Sequence, residues 1–282
     1  MNQAVPFVAD EVHPLAFEFQ GLNVSHETIL EQVAHNIRLG LPQAMPYEVN
    51  GEVVALVCGG PSLNDTVDEL VEAAWLGAKV VAVNGAYQWC VDRNIRPSAM
   101  VMLDAREFNT RFLRTPVPDC HYLLASSCHP KAFDICRGRK VTLWHVLSGC
   151  EDEVKLLEDF YWKQIHPITM GTTIGLRAIS LMRMLGFCRF EIFGLDSCHI
   201  EGKDHHAYPQ GENDDEFKFA VWVKPEGRDD LAKRFICSPW MAKQSQDFIE
   251  LVKERGDLFS VNVHGDGMIA HMVRTGAQLQ EE

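Results

Sequence analysis

The chain has 282 residues, a formal net charge of −13 and 46% hydrophobic residues. This hydrophobic fraction is sufficient for a substantial buried core, which indicates a globular protein. The acidic balance argues against a broad nucleic-acid-binding surface, because such a surface needs clustered lysine and arginine. No segment approaches the roughly 18 to 20 apolar residues of a membrane span, and the first residues lack the basic-then-apolar order of a signal peptide. We therefore expect a cytoplasmic protein without a membrane span.

The nine cysteines form no C-x-x-C pair and lie mostly within apolar stretches. This distribution favours small core residues over a disulfide framework or a zinc knuckle.

Residues 1–50 contain one amphipathic pattern, at 26–39, with Ser25 in position to cap it. They are predicted to form an N-terminal extension packed on the main domain. The pattern changes at residues 52–58, a continuous apolar, β-branched run that is typical of a strand covered on both faces in a parallel sheet.

Strands and helices then alternate along the chain, which is the pattern of βαβ units. Residues 199–235 carry charge, glycine and proline with little periodicity, and are predicted to be a long loop or lid. We expect residues 51–282 to form one doubly wound, Rossmann-like domain with a mostly parallel sheet of six or seven strands and helices on both faces. Further strands are predicted at 79–83, 99–103, 122–125, 141–144, 189–193 and 260–263, and helices at 65–76, 87–93, 151–160, 174–185 and 241–253.

A Gly-Gly-Pro-Ser-Leu turn at 59–63 joins the first core strand to a helix. Glycines let the backbone approach a ligand, and a helix N-terminus offers N–H groups to phosphate, so the turn is a candidate nucleotide-binding site. It matches neither the Walker A pattern nor G-x-G-x-x-G, and an ordinary tight strand-to-helix turn remains the alternative. The candidate residues are Gly59, Gly60, Pro61 and Ser62.

Polar residues follow two further strands, and ligands of open parallel sheets collect at the carboxyl ends of the strands. Asn84 and Gly85 close one strand, and Asp104 and Arg106 close another. The Asp104 carboxylate is suited to Mg²⁺ or a ribose hydroxyl and Arg106 to a phosphate, although an acid at a strand end is also a common helix cap.

A second small-residue turn, Gly171, Thr172 and Thr173, opens a helix and is a candidate for binding an anion or a base. The alternative is a simple threonine N-cap. Asp196 ends the next strand and is expected to face the same crevice as a metal ligand or catalytic acid. His264 follows the last strand and is a candidate general base.

Histidines also occur in the predicted loop, where His199, His205 and His206 lie close to Asp204. Their spacing matches no standard zinc pattern, which favours a polar loop.

The order of these motifs resembles the MptE-like family, named after an archaeal 6-hydroxymethylpterin diphosphokinase. The resemblance runs from about residue 53 to 269 and implies a doubly wound fold and a nucleotide substrate. It rests on the motifs at 59–63, 83–86, 103–106, 171–178 and 193–196.

The same order is more distantly similar to that of bacterial sialyltransferases that use a CMP-sugar. That similarity implies a nucleotide over Gly60, Asn84 and the two threonines. Those transferases place a catalytic histidine before a late helix, and the matching stretch at 235–240 has none. His205, His206 or His264 would therefore have to supply it.

Three hypotheses follow. The first is Mg²⁺-assisted transfer of a diphosphoryl group from ATP or a similar nucleotide to a small, pterin-like alcohol, with Asp104 and Asp196 holding the metal. The second is glycosyl transfer from a nucleotide-activated sugar of the CMP type, with a histidine as base. The third is a non-catalytic nucleotide-binding module. Assembly into a homo-oligomer is left open.

Overall fold

In the computed structural model, residues 24–210, 217–254 and 259–279 are described. The acidic run in the middle of the predicted loop, at 211–216, lies outside these residues. Seven parallel strands form the main sheet, in the order β5-β4-β3-β2-β1-β6-β9. They are β1 (Val53–Val57), β2 (Lys79–Val83), β3 (Ala99–Met102), β4 (His121–Ala125), β5 (Lys140–Trp144), β6 (Arg189–Phe193) and β9 (Ser260–Val263).

Helices flank the sheet, as a doubly wound α/β fold requires, and the predicted fold class is confirmed. The apolar residues of the inner strands are almost fully buried because helices cover the sheet. The helices are α1 (His26–Ile37), α2 (Val67–Trp75), α3 (Gly85–Asp92), α4 (Pro130–Ile135), α5 (Glu151–Phe160), α6 (Ile174–Met184), α7 (Pro239–Glu254) and α8 (Met268–Thr275).

A second, antiparallel sheet was not predicted. It has the order β10-β7-β8, formed by β7 (Phe219–Lys224), β8 (Lys233–Cys237) and β10 (Gln278–Leu279). The predicted loop over 199–235 therefore needs correction, because it contains β7 and begins β8. Residues at every second position of β7, from Phe219 to Val223, are buried, which is the period of a half-buried strand.

Helix α1 is attached to the main domain by side-chain hydrogen bonds. The buried Asn36 donates from Nδ2 to the carbonyls of Ser126 and Cys128, at 2.9 and 2.7 Å. Gln32 donates from Nε2 to the Ala105 carbonyl, at 2.9 Å. These side-chain amides satisfy carbonyls that follow β3 and β4 and would otherwise be costly to bury. The first helix of the predicted N-terminal extension thus packs directly against the carboxyl end of the sheet.

No helix within the described ranges combines the length and apolar character needed to cross a bilayer.

Candidate functional site at the switch point of the sheet

The strand order places a topological switch point between β1 and β6. The chain runs outward from β1 to β5 and then returns to the opposite side of β1 to form β6. Ligands of open α/β sheets bind in the crevice that such a reversal leaves at the carboxyl ends of the strands. A cleft of about 470 Å³ lies at this position.

The cleft brings together most of the predicted site residues, whereas Ser62, Gly85, Gly171 and His264 do not line it. The predicted residues that line it are Gly59, Gly60, Pro61, Asn84, Asp104, Arg106, Thr172, Thr173 and Asp196.

The N–H groups of the Gly59–Ser62 turn are mostly occupied within the protein. Gly60 donates to the Gly194 carbonyl at 2.8 Å, and Ser62 donates to Oδ2 of Asp196 at 2.9 Å. Proline has no N–H, and the turn continues into a 3₁₀ helix of only four residues, Pro61–Asn64. The turn therefore forms a wall of the cleft but offers few donors to a phosphate.

Asp196, just after β6, forms hydrogen bonds to the glycine turn and to the start of α8. Besides accepting from Ser62, it uses its backbone carbonyl to accept from the N–H of Met268 at 2.8 Å, at the start of α8. Only 4% of Asp196 is exposed, and burial raises the pKa of its carboxyl group. Its Oδ1 is buried against Gly267, with no partner among the described residues. This carboxylate is positioned to fix the loops.

Asp104 is engaged by neighbouring side chains. Arg106 donates to both carboxylate oxygens, from Nε at 3.0 Å and from Nη2 at 2.8 Å, and Asn109 donates to Oδ2 at 2.5 Å. A metal ligand needs an available lone pair, and here the arginine already neutralises the charge. Within the described ranges no group of three or more His, Cys, Asp or Glu could hold a metal ion. In this arrangement Asp104 does not fit a ligand for Mg²⁺, and Asp196 as a Mg²⁺ ligand stays a prediction.

Asn84 has a structural contact rather than an open amide. Its backbone has a positive φ of 42°, and its Oδ1 accepts from the Leu103 N–H at 3.1 Å. The contact links the carboxyl ends of β2 and β3.

A segment that follows β6 lies over the glycine turn, and we call residues 205–208 the strap. Ala207 donates to the Gly59 carbonyl at 2.9 Å, and Nδ1 of His206 lies 3.1 Å from the same oxygen. The Tyr208 ring occupies the space next to Gly59 and Gly85, where an added Cβ would approach it to 2.6 Å. The two glycines therefore accommodate the strap.

The N-terminus of α6 provides donors that the glycine turn lacks. The N–H groups of Thr172, Thr173, Ile174 and Gly175 have no hydrogen-bond partner in the described part of the chain. They begin a helix of 11 residues, so the positive end of the helix dipole reinforces them. This terminus lines the cleft and is suited to an anion.

Arg177 lines the cleft one turn further along α6. Its Nε donates to the Gly171 carbonyl at 2.8 Å, which orients the guanidinium group, and its Nη atoms have no partner among the described residues. Burial lowers the pKa of Arg177, and the charge of Glu153 acts in the opposite direction. Within the predicted motif at 171–178 the sequence did not single out this side chain.

A series of side-chain hydrogen bonds leaves the Thr173 hydroxyl group oriented as a donor. The Ser197 hydroxyl donates to Oε1 of Gln244 at 2.7 Å, and Nε2 of Gln244 donates to Oγ1 of Thr173 at 2.6 Å. The Thr173 hydroxyl proton is therefore directed to another acceptor. Gln244 belongs to α7 and gave no signal in the sequence.

Two histidines of the predicted loop line the cleft. Only 8% of His205 is exposed, and neither of its ring nitrogens has a partner among the described residues. Burial, with the adjacent His206, lowers its pKa to about 3, so the ring is neutral. The Nδ1 of His206 donates to the Gly59 carbonyl, because a carbonyl only accepts.

His264 is placed elsewhere. Its Nε2 lies 2.8 Å from Oε2 of Glu191, and its ring stacks on Phe193 with centroids 4.1 Å apart.

The fold and the cleft define a Rossmann-like α/β protein with the N-terminus of α6 at the switch point of its sheet. The family profile described as 6-hydroxymethylpterin diphosphokinase MptE-like matches residues 27–202. The chain belongs to this MptE-like family, as its motif order predicted.

Among solved structures, the chain is similar to the MAf glycosyltransferase from Magnetospirillum magneticum AMB-1, with a TM-score of 0.64 and 15% sequence identity. The match covers 88% of this chain and 38% of that protein, so the likeness concerns the fold of one part of a longer chain. A search of curated proteins found no match.

Proposed function

We propose that this protein is a transferase that binds a nucleotide-activated donor in the switch-point cleft. The observation that carries the proposal is the cluster of unpaired N–H groups at Thr172–Gly175, beside the Arg177 guanidinium group. Donors fixed in this way stabilise the negative charge that develops on a leaving phosphate without further reorganisation.

Glycosyl transfer from a nucleotide-activated sugar suits the cleft better than transfer from a triphosphate. Among the residues that the structure describes, only Arg106 and Arg177 bring positive charge to its lining, and Arg106 is paired with Asp104. A triphosphate carries more charge and normally reacts as its Mg²⁺ complex. A donor with one or two phosphates needs less neutralisation. The structural neighbour is a glycosyltransferase, which is consistent with this choice.

In the proposed reaction, a histidine of the strap accepts the proton of an acceptor hydroxyl. The acceptor oxygen forms a bond to the anomeric carbon of the sugar while the bond from that carbon to the phosphate oxygen breaks. The phosphate leaves with the electron pair and is held by the α6 terminus and Arg177.

Diphosphoryl transfer to a small, pterin-like alcohol is the second candidate, and the family description favours it. It would require Mg²⁺ bound to the nucleotide, whereas the glycosyl transfer proposed here would not.

Binding measurements test the proposal. Isothermal titration of the wild-type chain with CMP, CMP-sugars, UDP-sugars and ATP, in EDTA and in Mg²⁺, should show binding of a nucleotide or nucleotide sugar in EDTA. Arg177→Gln should weaken this binding by about tenfold or more, because a charged hydrogen bond is lost. The control Arg137→Gln, at an exposed surface ion pair, should bind as the wild type does.

Binding of ATP alone, and only with Mg²⁺, would favour diphosphoryl transfer. Failure of every nucleotide to bind would refute the cleft as a nucleotide site.

A further inference from the structure

One end of the cleft contains a buried carboxylate that the proposed reaction does not use. Glu153, in the first turn of α5, lines the cleft and is only 1% exposed. Its Oε2 accepts from the N–H and the hydroxyl of Ser148, at 2.7 and 2.5 Å. Its Oε1 is buried with no partner among the described residues. A buried carboxylate oxygen without a donor is costly, which points to a ligand that supplies one.

The surroundings of Glu153 fit a flat, apolar ligand. Val24, Ile29 and Leu147 line the cleft at this end and pack in the same apolar cluster as Leu157, one turn further along α5. A separate group of lining residues, His205, His206, Tyr208 and Trp240, consists of rings that contact one another. An apolar wall with a few directed polar groups suits a heteroaromatic ring more than a polyhydroxyl sugar.

The charge of Arg177 keeps this carboxylate compatible with an anionic ligand. Both side chains line the cleft, and the charge of Glu153 opposes the lowering of the Arg177 pKa by burial. Arg177 lies on the same helix as the unpaired N–H groups of Thr172–Gly175. A phosphate at the α6 terminus would therefore leave the base of the same nucleotide close to Glu153.

We infer that Glu153 accepts a hydrogen bond from the exocyclic amino group of the nucleobase, so that the cleft selects cytosine or adenine over uracil or hypoxanthine. This inference rests on the proposed nucleotide site. A base with an oxo group in place of the amine would bring an acceptor oxygen next to Oε1 of Glu153. The two oxygens would repel each other, and the buried carboxylate would remain without a hydrogen-bond donor.

Matched nucleotide pairs test the inference, because CMP and UMP, like AMP and IMP, differ where an amine replaces an oxo group. Titrations in EDTA should show that the wild type prefers the amino member of at least one pair by about tenfold or more. In Glu153→Gln, the amide oxygen can keep the Ser148 bonds while the NH₂ group faces the cleft. The preference should then disappear or reverse. Glu151→Gln makes the same chemical change at an exposed position of α5 and should keep it.

The possible outcomes separate the two proposals. If neither these four nucleotides nor the nucleotide sugars and ATP of the first titration bind the wild type, the nucleotide site itself is refuted; if only the latter bind, the role of Glu153 is refuted. If they bind without preference, or if the preference survives in Glu153→Gln, the role of Glu153 is refuted while the nucleotide site stands. Should Glu153→Gln fail to fold, as judged by circular dichroism, the wild-type preference alone decides.

Discussion

At the scale of single residues, the glycines of the first turn are required for a reason that local sequence does not contain. A Cβ on Gly60 would collide with Oδ2 of Asp196 and lie 2.8 Å from the Gly194 carbonyl. The pattern at 59–63 predicted that a ligand approaches the backbone closely there. The sequence could not show that the approaching group is a protein carboxylate 136 positions further along rather than a phosphate.

We predict that Gly60→Ala destabilises the fold by about 1 to 3 kcal/mol, the usual cost of forcing an extra methyl group into packed structure. Urea unfolding followed by circular dichroism measures the change. Gly51→Ala is the control, because a Cβ there meets nothing within 4 Å. Equal stability of the two variants would contradict the assigned role of the turn.

At the scale of elements, the sequence predicted the seven strands of the main sheet because buried parallel strands are continuous apolar runs. It did not predict β7 and β8, whose apolar residues alternate within a charged segment. It also missed α8, a short helix directly after the last strand. Helix α1 was predicted as part of an N-terminal extension packed on the main domain, but the side-chain amides that attach it to the sheet gave no periodic signal.

Helix α1 should support both stability and ligand binding. Asn36→Ala would leave the buried carbonyls of Ser126 and Cys128 without their donor, and we expect a loss of about 2 to 3 kcal/mol in urea unfolding. Because α1 carries the cleft residue Ile29, nucleotide affinity should also fall. His35→Ala, at an exposed neighbouring position, should change neither quantity, and similar losses in both variants would argue against this role.

At the scale of the whole molecule, buried neutral histidines make stability depend on pH. Burial lowers the pKa of His145 and of His121 to about 4, and that of His205 to about 3. Between the ordinary value of about 6.5 and these values, the unfolded chain takes up protons that the native chain does not. Stability contributed by these groups is thus present above pH 6.5 and is lost as the pH falls toward 4. Asp196, whose pKa is raised, acts in the opposite direction.

We predict a smaller free energy of unfolding at pH 5 than at pH 7. His145 contributes up to about 1.4 kcal/mol per pH unit, and the more exposed His121 less because solvent screens it. Urea titrations at both pH values provide the measurement. His145→Gln should reduce the difference, whereas His26→Gln, on the surface of α1, should leave it unchanged. A difference that His145→Gln does not alter would contradict the assignment.

The bond between Ser62 and Asp196 spans 134 positions of the chain, and the Asp196 carbonyl is in turn bonded to Met268. Closing so long a loop costs conformational entropy before the contact is gained. This cost slows the step, so these contacts should form late in folding. During synthesis, the first turn would lack its acceptor until β6 has emerged, and the Asp196 carbonyl would lack its donor until α8 has followed. We therefore expect the nascent chain to gain affinity for ligand in a single step, once α8 has been made.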